Sequence, residues 1–312
     1  MSCEIMEKPK VLVCRSDFPD ILVKKLEPYC DVEMYDKCGT MSRAEFLARL
    51  AGKHGVVLTT HFAVNAETLD AAGPTLAVVS SFSAGYDHID VQEVKKRGIK
   101  VGVTPDVLTK SCAELTVTLL LATARRLFEC SAQITSEGWA ESQGSQQWML
   151  SRSVAGSTVG IFGLGSIGLE VLRKLSVFDV GKFLYNSNGP KELDGRYPVA
   201  EFVSFERLLQ ESDFVICTAA LNEQTRAKFN KDAFAAMKNS AVFIYYTTST
   251  TQHLLHNIYY TTYTTQHLLH NISLVPHIAS ADVKTREAMA ELAAENLLGG
   301  LIEGKQMLKR LC

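Results

Sequence analysis

The sequence lacks several features that mark whole classes of protein. Its 32 Lys and Arg face 34 Asp and Glu, so no basic excess exists to attract nucleic acid or an anionic membrane. Its most apolar stretch, residues 115–124, is too short to cross a bilayer. The first fourteen residues include charges throughout and no apolar segment of a secretion signal. These absences predict a cytoplasmic protein whose partner is a small molecule, with no nucleic acid and no membrane.

Cysteine is present, but a cysteine framework is absent. The eight cysteines form no Cys-x-x-Cys pair and no regular spacing, which is typical of reduced, mostly buried thiols. The composition is otherwise that of a globular protein, with 46% hydrophobic and 21% charged residues. A chain of 312 residues is long enough for about two domains.

Short apolar runs alternate with helical patterns from the beginning of the chain. Strands are predicted at 10–14, 31–35, 56–60 and 76–80, with helices between them. Ser42 is the predicted N-cap of one helix. Asp90 and Glu93 form a predicted capping box, and Gly98 is the predicted left-handed end of that helix. This alternation predicts an α/β protein with parallel sheets.

A second α/β series is predicted from residue 106 onward. A long helix runs through residues 113–127, and the polar residues 138–156 are predicted to form a loop. A strand at 157–162 and a helix then enclose a Gly-x-Gly-x-x-Gly pattern at Gly163, Gly165 and Gly168. In that position the first glycine permits a tight turn, the second admits a pyrophosphate and the third lets helix and strand pack closely. The alternative is a glycine-rich turn with a structural role only.

The next predicted strand, 182–185, ends in residues that favour NADP over NAD. NAD-specific sites usually place an Asp or Glu there to accept a hydrogen bond from the ribose 2′-hydroxyl. Residues 186–191 read Asn-Ser-Asn-Gly-Pro-Lys, so no carboxylate among them repels a 2′-phosphate and Lys191 can neutralise it. NADP is therefore the preferred prediction. NAD is the alternative if Lys191 is merely a solvated loop residue.

Four motifs in this order resemble the D-isomer-specific 2-hydroxyacid dehydrogenase family. They are SFSAGYDHID at 81–90, KKRGIKVGVTPDVLTKSCAEL at 95–115, the glycine loop, and VPHIAS at 275–280. The resemblance implies two doubly wound parallel-sheet domains. A Rossmann dinucleotide domain, residues 106–281, would be inserted into a flavodoxin-like substrate domain, residues 1–105 and 282–312. It also implies a homodimer, in which Trp139 and Trp148 are candidates for subunit contact, with core packing as the alternative.

The resemblance implies a reaction and a set of site residues. The reaction is hydride transfer from NAD(P)H to a small 2-keto acid such as glyoxylate or hydroxypyruvate. Ala84 and Gly85 would hold the substrate carboxylate through backbone N–H groups, with Ser280 as a further substrate-binding residue. His277 would be the acid/base, and the ordinary imidazole pKa of about 6.5 suits that role. No metal is implied, and the implied cofactor-binding residues are Gly163, Gly165, Ser166, Ile167, Gly168, Asn188, Lys191, Ala220 and Ala279.

Residues 245–272 depart from the family pattern. They consist of two copies of one 14-residue segment, which differ only at Ser249 and Tyr263. Structural repeats usually have periods of roughly 20–50 residues, so a recent duplication or a misread gene is the preferred interpretation. A metal site is the weaker alternative, formed by the histidines of the two copies, which are His253, His256, His267 and His270.

The duplicated tract replaces two groups that the family uses. Thr248 occupies the position of the family's arginine, and threonine cannot make a bidentate, charged contact with a carboxylate. No Asp or Glu occurs from residue 233 to residue 281, so the glutamate that partners the histidine is missing as well. Two hypotheses follow. The chain is a 2-hydroxyacid dehydrogenase with impaired turnover, or it is a catalytically inactive dinucleotide-binding protein that acts through partners.

Overall fold

The computed structural model describes residues 7–37, 39–136, 138–142, 145–246, 272–275 and 277–312. The chain divides into two compact units, Met1–Leu108 with Ser280–Cys312, and Thr109–Ala279. The duplicated tract lies outside the described residues except at its ends, and so do Thr248 and the four histidines of the two copies.

The first unit contains a five-stranded parallel sheet in the order β2-β1-β3-β4-β5. This is the flavodoxin-like order. Every residue of β3 and β4 is buried, as expected for strands covered by helices on both faces. The strands are β1 (Lys10–Val13), β2 (Asp31–Met34), β3 (Gly55–Leu58), β4 (Val78–Ser81) and β5 (Lys100–Gly102). The helices are α1 (Ile21–Leu26), α2 (Arg43–Leu50), α3 (Ala66–Ala72), α4 (Val91–Lys96) and the last helix of the chain, α12 (Val283–Leu301).

Two of the predicted helix ends in this unit are confirmed. The Ser42 side chain accepts a hydrogen bond from the Glu45 N–H at the start of α2. Gly98 has φ +70°, the left-handed conformation expected after α4.

The predicted capping box is only half formed, so that prediction is wrong in part. The Asp90 carboxylate accepts from the N–H groups of Gln92 and Glu93, as a cap should. The Asp90 N–H instead donates to the Val64 carbonyl, and the Glu93 carboxylate binds Arg97. Because both return partners are engaged elsewhere, the reciprocal bond of a capping box is absent.

The second unit contains a six-stranded parallel sheet in the order β11-β10-β9-β6-β7-β8. This is the strand order of the dinucleotide-binding Rossmann fold, and the predicted α/β class with two doubly wound sheets is confirmed. The strands are β6 (Thr158–Phe162), β7 (Lys182–Asn186), β8 (Ala200–Phe202), β9 (Phe214–Cys217), β10 (Val242–Tyr246) and β11 (Ile272–Val275). The helices are α5 (Thr109–Ala124), α6 (Leu127–Thr135), α7 (Gly138–Glu141), α8 (Ser166–Leu175), α9 (Phe205–Glu211) and α10 (Lys231–Ala236).

The segment between α5 and β6 differs from the sequence prediction. The long helix ends at Ala124, and Arg126 has φ +52°, a conformation that an α-helix cannot contain. Arg126 also pairs with Glu129 at 2.7 Å at the start of the separate helix α6. The predicted loop at 138–156 begins with the short helix α7. The predictions of one continuous helix and of an uninterrupted loop are therefore wrong.

The described cysteines are all thiols, and four of the six are buried. Burial raises the pKa of Cys30 to about 11 and that of Cys217 to about 12, and it raises the pKa of Cys14 as well. These three thiols are therefore protonated and unreactive at neutral pH. In the described part of the chain, none of the helices is both long and apolar enough to cross a membrane.

Candidate functional site

Two of the three glycines in the loop between β6 and α8 are required by the fold itself. Gly163 has φ +99°, and a Cβ there would collide with the backbone of Ala219. A Cβ on Gly168 would collide with the carbonyl of Gly163 and lie 2.9 Å from Thr218 Oγ1. A tight turn and a close helix–strand contact therefore account for these two positions.

Gly165 is glycine for a reason that the chain alone does not supply. Its φ of −82° suits other residues, and no described atom lies within 4 Å of an added Cβ. Gly165 is the N-cap of α8, and no side chain caps the helix there. Gly165 and Ser166 are exposed, and the first N–H groups of an α-helix have no partner within the helix. This arrangement fits the close approach of a pyrophosphate to a helix N-terminus.

Thr218 anchors the glycine loop from the end of the neighbouring strand β9. Its Oγ1 donates to the Gly163 carbonyl at 2.5 Å, and its N–H donates to the Phe162 carbonyl at 2.9 Å. The Gly163 N–H donates to the Asn186 carbonyl at the end of β7, at 2.8 Å. The sequence analysis did not predict a role for Thr218. Its position directly after a buried apolar strand could have indicated that it lies at the cofactor edge of the sheet.

The residues after β7 form an exposed loop with an available cation. Asn188 and Lys191 are both exposed, and the Lys191 N–H donates to the Tyr185 hydroxyl at 2.8 Å. Within the described ranges, the Lys191 ammonium has no ion-pair partner. Asn186 is used differently, because its Nδ2 donates to the Val203 carbonyl.

The carboxyl ends of β6, β7 and β9 bring most of the cofactor candidates to one edge of the sheet. These three strands are neighbours, so the glycine loop, residues 186–191 and Ala220 all follow adjacent strand ends. Ala220 is exposed, and its carbonyl accepts from Thr225 Oγ1 at 2.7 Å. Ligands of open α/β sheets bind at this edge, where the strand order reverses.

His277 lies two residues beyond β11 and is exposed. Ala279, two residues farther on, is buried, and its carbonyl accepts from Ser111 Oγ at 2.9 Å. Ser111 belongs to the first turn of α5, so this helix holds the segment that follows the histidine. Ser280 is also buried and begins the part of the chain that returns to the first unit.

The substrate candidates Ala84 and Gly85 lie in the first unit, in the loop that follows β4. Ala84 is half-buried and Gly85 is exposed. A Cβ on Gly85 would meet only Asp87 Oδ1, at an ordinary contact distance of 3.5 Å. The fold therefore does not require glycine here either, which fits a backbone that a ligand approaches closely.

In the described part of the chain, no group of three or more His, Cys, Asp or Glu side chains could hold a metal ion. The chemistry that these residues offer is therefore that of backbone N–H groups, a lysine cation and an exposed imidazole.

Comparison with known proteins agrees with this geometry. The sequence model of the D-isomer-specific 2-hydroxyacid dehydrogenase NAD-binding domain matches residues 117–251. A glyoxylate reductase/hydroxypyruvate reductase of Mus musculus is 39% identical over 291 residues, which cover 87% of this chain and 88% of the relative.

Solved structures show the same likeness over nearly the whole chain. A protein of Thermus thermophilus has a TM-score of 0.83 and 31% identity, covering 97% of this chain and 100% of its own. The NADPH-dependent glyoxylate/hydroxypyruvate reductase of Sinorhizobium meliloti, solved with NADP and malonate, has a TM-score of 0.79 and 28% identity. It covers 98% of this chain and 97% of its own.

The strand order of the second unit and its glycine loop are those of a dinucleotide-binding α/β protein, and the matching family model is that of an NAD-binding domain. With a relative of 39% identity across most of both chains, this chain belongs to the D-isomer-specific 2-hydroxyacid dehydrogenase family. Members of that family are NAD(P)-dependent enzymes that act on small-molecule substrates.

Proposed function

We propose that the protein reduces glyoxylate or hydroxypyruvate with NADPH and releases the corresponding 2-hydroxy acid. The observation that carries this proposal is the 39% identity to a glyoxylate reductase/hydroxypyruvate reductase over 87% of the chain. No described atom lies within 4 Å of a Cβ added at Gly165, and this open space supports dinucleotide binding independently.

The second unit would hold the cofactor, and the bound nicotinamide supplies the hydride for the keto carbon. The N–H groups of Gly165, Ser166 and Ile167 lie at the positive end of α8 and would bind the pyrophosphate. Asn188 and Lys191 would hold the 2′-phosphate, and this contact is the basis for preferring NADPH to NADH. The remaining cofactor contacts would come from Gly163, Gly168, Ala220 and Ala279.

In this proposal, backbone amides bind the substrate and a histidine protonates it. In this proposal the N–H groups of Ala84 and Gly85 bind the substrate carboxylate, and Ser280 is the third substrate-binding residue. His277 gives the proton to the carbonyl oxygen as the hydride reaches the carbon, so the reaction ends with a neutral hydroxyl group and a neutral imidazole.

NADPH oxidation, followed by its absorbance with glyoxylate or hydroxypyruvate, tests this proposal directly. We expect turnover by the wild type and its loss in His277→Gln, which keeps a polar side chain but has no group that titrates near neutral pH. Equal rates for the two proteins would show that His277 is not the acid/base. No oxidation with either keto acid would contradict the proposed activity.

A charge reversal at Lys191 tests the cofactor preference. We expect Lys191→Glu to raise the KM for NADPH roughly tenfold and to leave the KM for NADH nearly unchanged, because only NADPH has a 2′-phosphate to repel. Lys284→Glu, at an exposed lysine of the first unit, is the matched control. If both reversals change the two KM values alike, Lys191 does not read the 2′-phosphate.

A second candidate function follows from the duplicated tract. Thr248 stands at the family's arginine position, and no Asp or Glu is available from residue 233 to residue 281 to partner the histidine. Both facts are consistent with a protein that binds a dinucleotide without turnover and acts through protein partners. Thermal stabilisation by NADPH together with no turnover would favour this candidate, and measurable turnover would exclude it. Intact-mass analysis across 245–272 would show whether the tract is present.

Two further features belong to the proposal. The six described cysteines form no disulfide, which fits a cytoplasmic location.

Helix α6 has no buried residue, and its Leu127, Phe128 and Ile134 are 57%, 61% and 73% exposed. Trp139, which is 58% exposed, packs edge-on against Trp148. We propose that this apolar surface is covered by a second copy of the chain in a homodimer.

A further inference from the structure

A chain of hydrogen bonds ends on the loop that contains Ala84 and Gly85. Ser83 Oγ lies 2.6 Å from the Gly85 carbonyl oxygen, and Ser81 Oγ lies 2.7 Å from Ser83 Oγ. His88 Nε2 in turn lies 2.9 Å from Ser81 Oγ. Both serines are buried, so water does not compete for these bonds. The chain therefore connects a partly buried imidazole to the backbone of the proposed carboxylate-binding loop.

The donors and acceptors of this chain allow only one direction. A carbonyl oxygen can only accept, so the Ser83 hydroxyl donates to Gly85. A hydroxyl has a single hydrogen, so the Ser81 hydroxyl must donate to Ser83. His88 Nε2 must then donate to Ser81. The geometry thus fixes the tautomer of His88 as the one with its proton on Nε2.

The other ring nitrogen agrees with this assignment. Within the described ranges, Nδ1 of His88 is buried and has no hydrogen-bond partner. In the Nε2–H tautomer this atom is a bare acceptor, whereas a protonated ring would leave a buried charged donor without a partner. Burial lowers the pKa of His88 to about 4, despite the opposing charge of Asp87. The ring is therefore neutral at neutral pH, and its Nε2–H remains a donor.

The loop needs such support because Gly85 lacks a side chain that would restrict it. Glycine has more backbone freedom than any other residue, and Gly85 is exposed. Amide groups bind a carboxylate well only when their direction is fixed beforehand. A hydrogen bond on the Gly85 carbonyl fixes the peptide plane between Gly85 and Tyr86 and so restricts rotation at Gly85.

We propose that His88, Ser81 and Ser83 are positioning residues that aim the amides of Ala84 and Gly85 at the substrate carboxylate. This inference rests on the proposed function, in which those two amides bind the keto acid. The three side chains do not touch the substrate and act only through the backbone of the loop.

Ser83→Ala tests the last bond of the chain, and Ser80→Ala is a closely matched control. Ser80 belongs to β4, the strand that ends two residues before Ser83. It is also buried, and it donates to the Ala293 carbonyl at 2.8 Å on α12, away from the loop. Both variants lose one buried hydroxyl–carbonyl bond, and Ser83→Ala also loses the bond that Ser83 Oγ accepts from Ser81, so it should lose more stability. Of the two lost hydroxyl–carbonyl bonds, only the one in Ser83→Ala holds the loop that contains Ala84 and Gly85.

The readouts are the KM values for hydroxypyruvate and NADPH, and the Kd of malonate measured by calorimetry with NADP present. Malonate binding needs no turnover, so it reports on the loop even in a poor catalyst. We expect Ser83→Ala to weaken malonate binding and raise the KM for hydroxypyruvate roughly three- to tenfold. The KM for NADPH should not change, and Ser80→Ala should change none of the three.

Two substitutions of His88 test the start of the chain. His88→Gln places an amide donor near the position of Nε2 and should retain most of the malonate affinity, whereas His88→Met has no donor and should resemble Ser83→Ala. If Ser83→Ala and His88→Met bind malonate as tightly as the wild type, the chain is merely structural and this inference alone is wrong. If the wild type binds NADP but neither malonate nor a keto acid, the proposed function is overturned and this inference with it.

Discussion

At the scale of single residues, the three glycines of the dinucleotide loop separate what the fold needs from what a ligand needs. Gly163 and Gly168 have no room for a Cβ because backbone atoms of the same unit occupy it. Gly165 has room and an ordinary φ, so the described fold does not account for its lack of a side chain, whereas a pyrophosphate in the proposed function does.

Alanine substitutions should therefore divide the loop into two classes. Gly165→Ala should leave the free energy of unfolding nearly unchanged but weaken NADPH binding roughly tenfold or more, because its methyl group would occupy the pyrophosphate position. Gly168→Ala should instead lower the free energy of unfolding by about 2 kcal/mol or more through overpacking. Urea unfolding and NADPH fluorescence titration measure the two effects. Unchanged NADPH affinity in Gly165→Ala would contradict this division.

His88 makes a prediction about stability and pH. Burial lowers its pKa in the folded state to about 4, below the unfolded value of about 6.5, so the unfolded chain binds a proton first as the pH falls. The stability that the neutral ring contributes is thus fully present above pH 6.5 and is lost progressively toward pH 4. At pH 5 the loss is about 2 kcal/mol.

Urea unfolding at pH 7.5 and pH 5.0 measures this loss when the wild type is compared with His88→Gln. The glutamine does not titrate, so the stability difference between the two proteins should shift by about 2 kcal/mol in favour of the variant at the lower pH. All other titrating groups are shared and cancel. A difference that does not depend on pH would mean that the folded pKa of His88 is not lowered.

At the scale of elements, the strands follow from the sequence far better than the segments between them. Buried parallel strands require continuous apolar runs, and 10–14 and 56–60 contain β1 and most of β3. The predicted strand 31–35 contains β2, although none of the residues of β2 is buried. The break of the helix at Arg126 could not be predicted from the sequence, because the left-handed conformation of an arginine is set by tertiary contacts and not by its local sequence. The half-formed capping box failed only in part for this reason. Val64 is distant in the chain, but Arg97 is four residues from Glu93 and competes for its carboxylate as a local i,i+4 pair.

The candidate site shows the same division. The glycine loop has a local sequence signature, so its position followed from the sequence alone. The contacts that hold the glycine loop have no such local signature, because Thr218 and the Gly163 carbonyl that it binds are 55 positions apart in the chain. Ser111, which holds the carbonyl of Ala279 from a distant helix, is hidden from a local reading in the same way.

The bond between the end of β9 and the glycine loop is therefore the element-scale contact to test. Thr218→Val has the same shape but no hydroxyl, and should weaken NADPH binding several-fold and lower the free energy of unfolding by about 1 kcal/mol. Thr218→Ser retains the donor and should keep most of the affinity. NADPH titration and urea unfolding measure both. Equal NADPH affinity in the wild type and Thr218→Val would mean that this bond does not shape the loop.

At the scale of the whole molecule, the two units differ in what they leave exposed. The second unit presents apolar side chains along α6 and α7, on helices that carry no buried core residue of their own in the described segment. An isolated chain would expose this surface to water, at a cost that covering it would remove. In the proposed homodimer this surface would be covered in both copies at once, because the contact of a two-fold pair is self-complementary.

Charged substitutions on this surface should convert the protein to a monomer. We expect the wild type to sediment at twice the chain mass of 34.4 kDa, and the double variant Phe128→Glu with Ile134→Glu to sediment at the single-chain mass. Val199→Glu is the control, because Val199 is 94% exposed in the same unit but away from α6 in the sequence. Sedimentation equilibrium over a range of concentrations makes the measurement. A monomeric wild type, or a control that dissociates as readily as the double variant, would show that α6 is not the dimer contact.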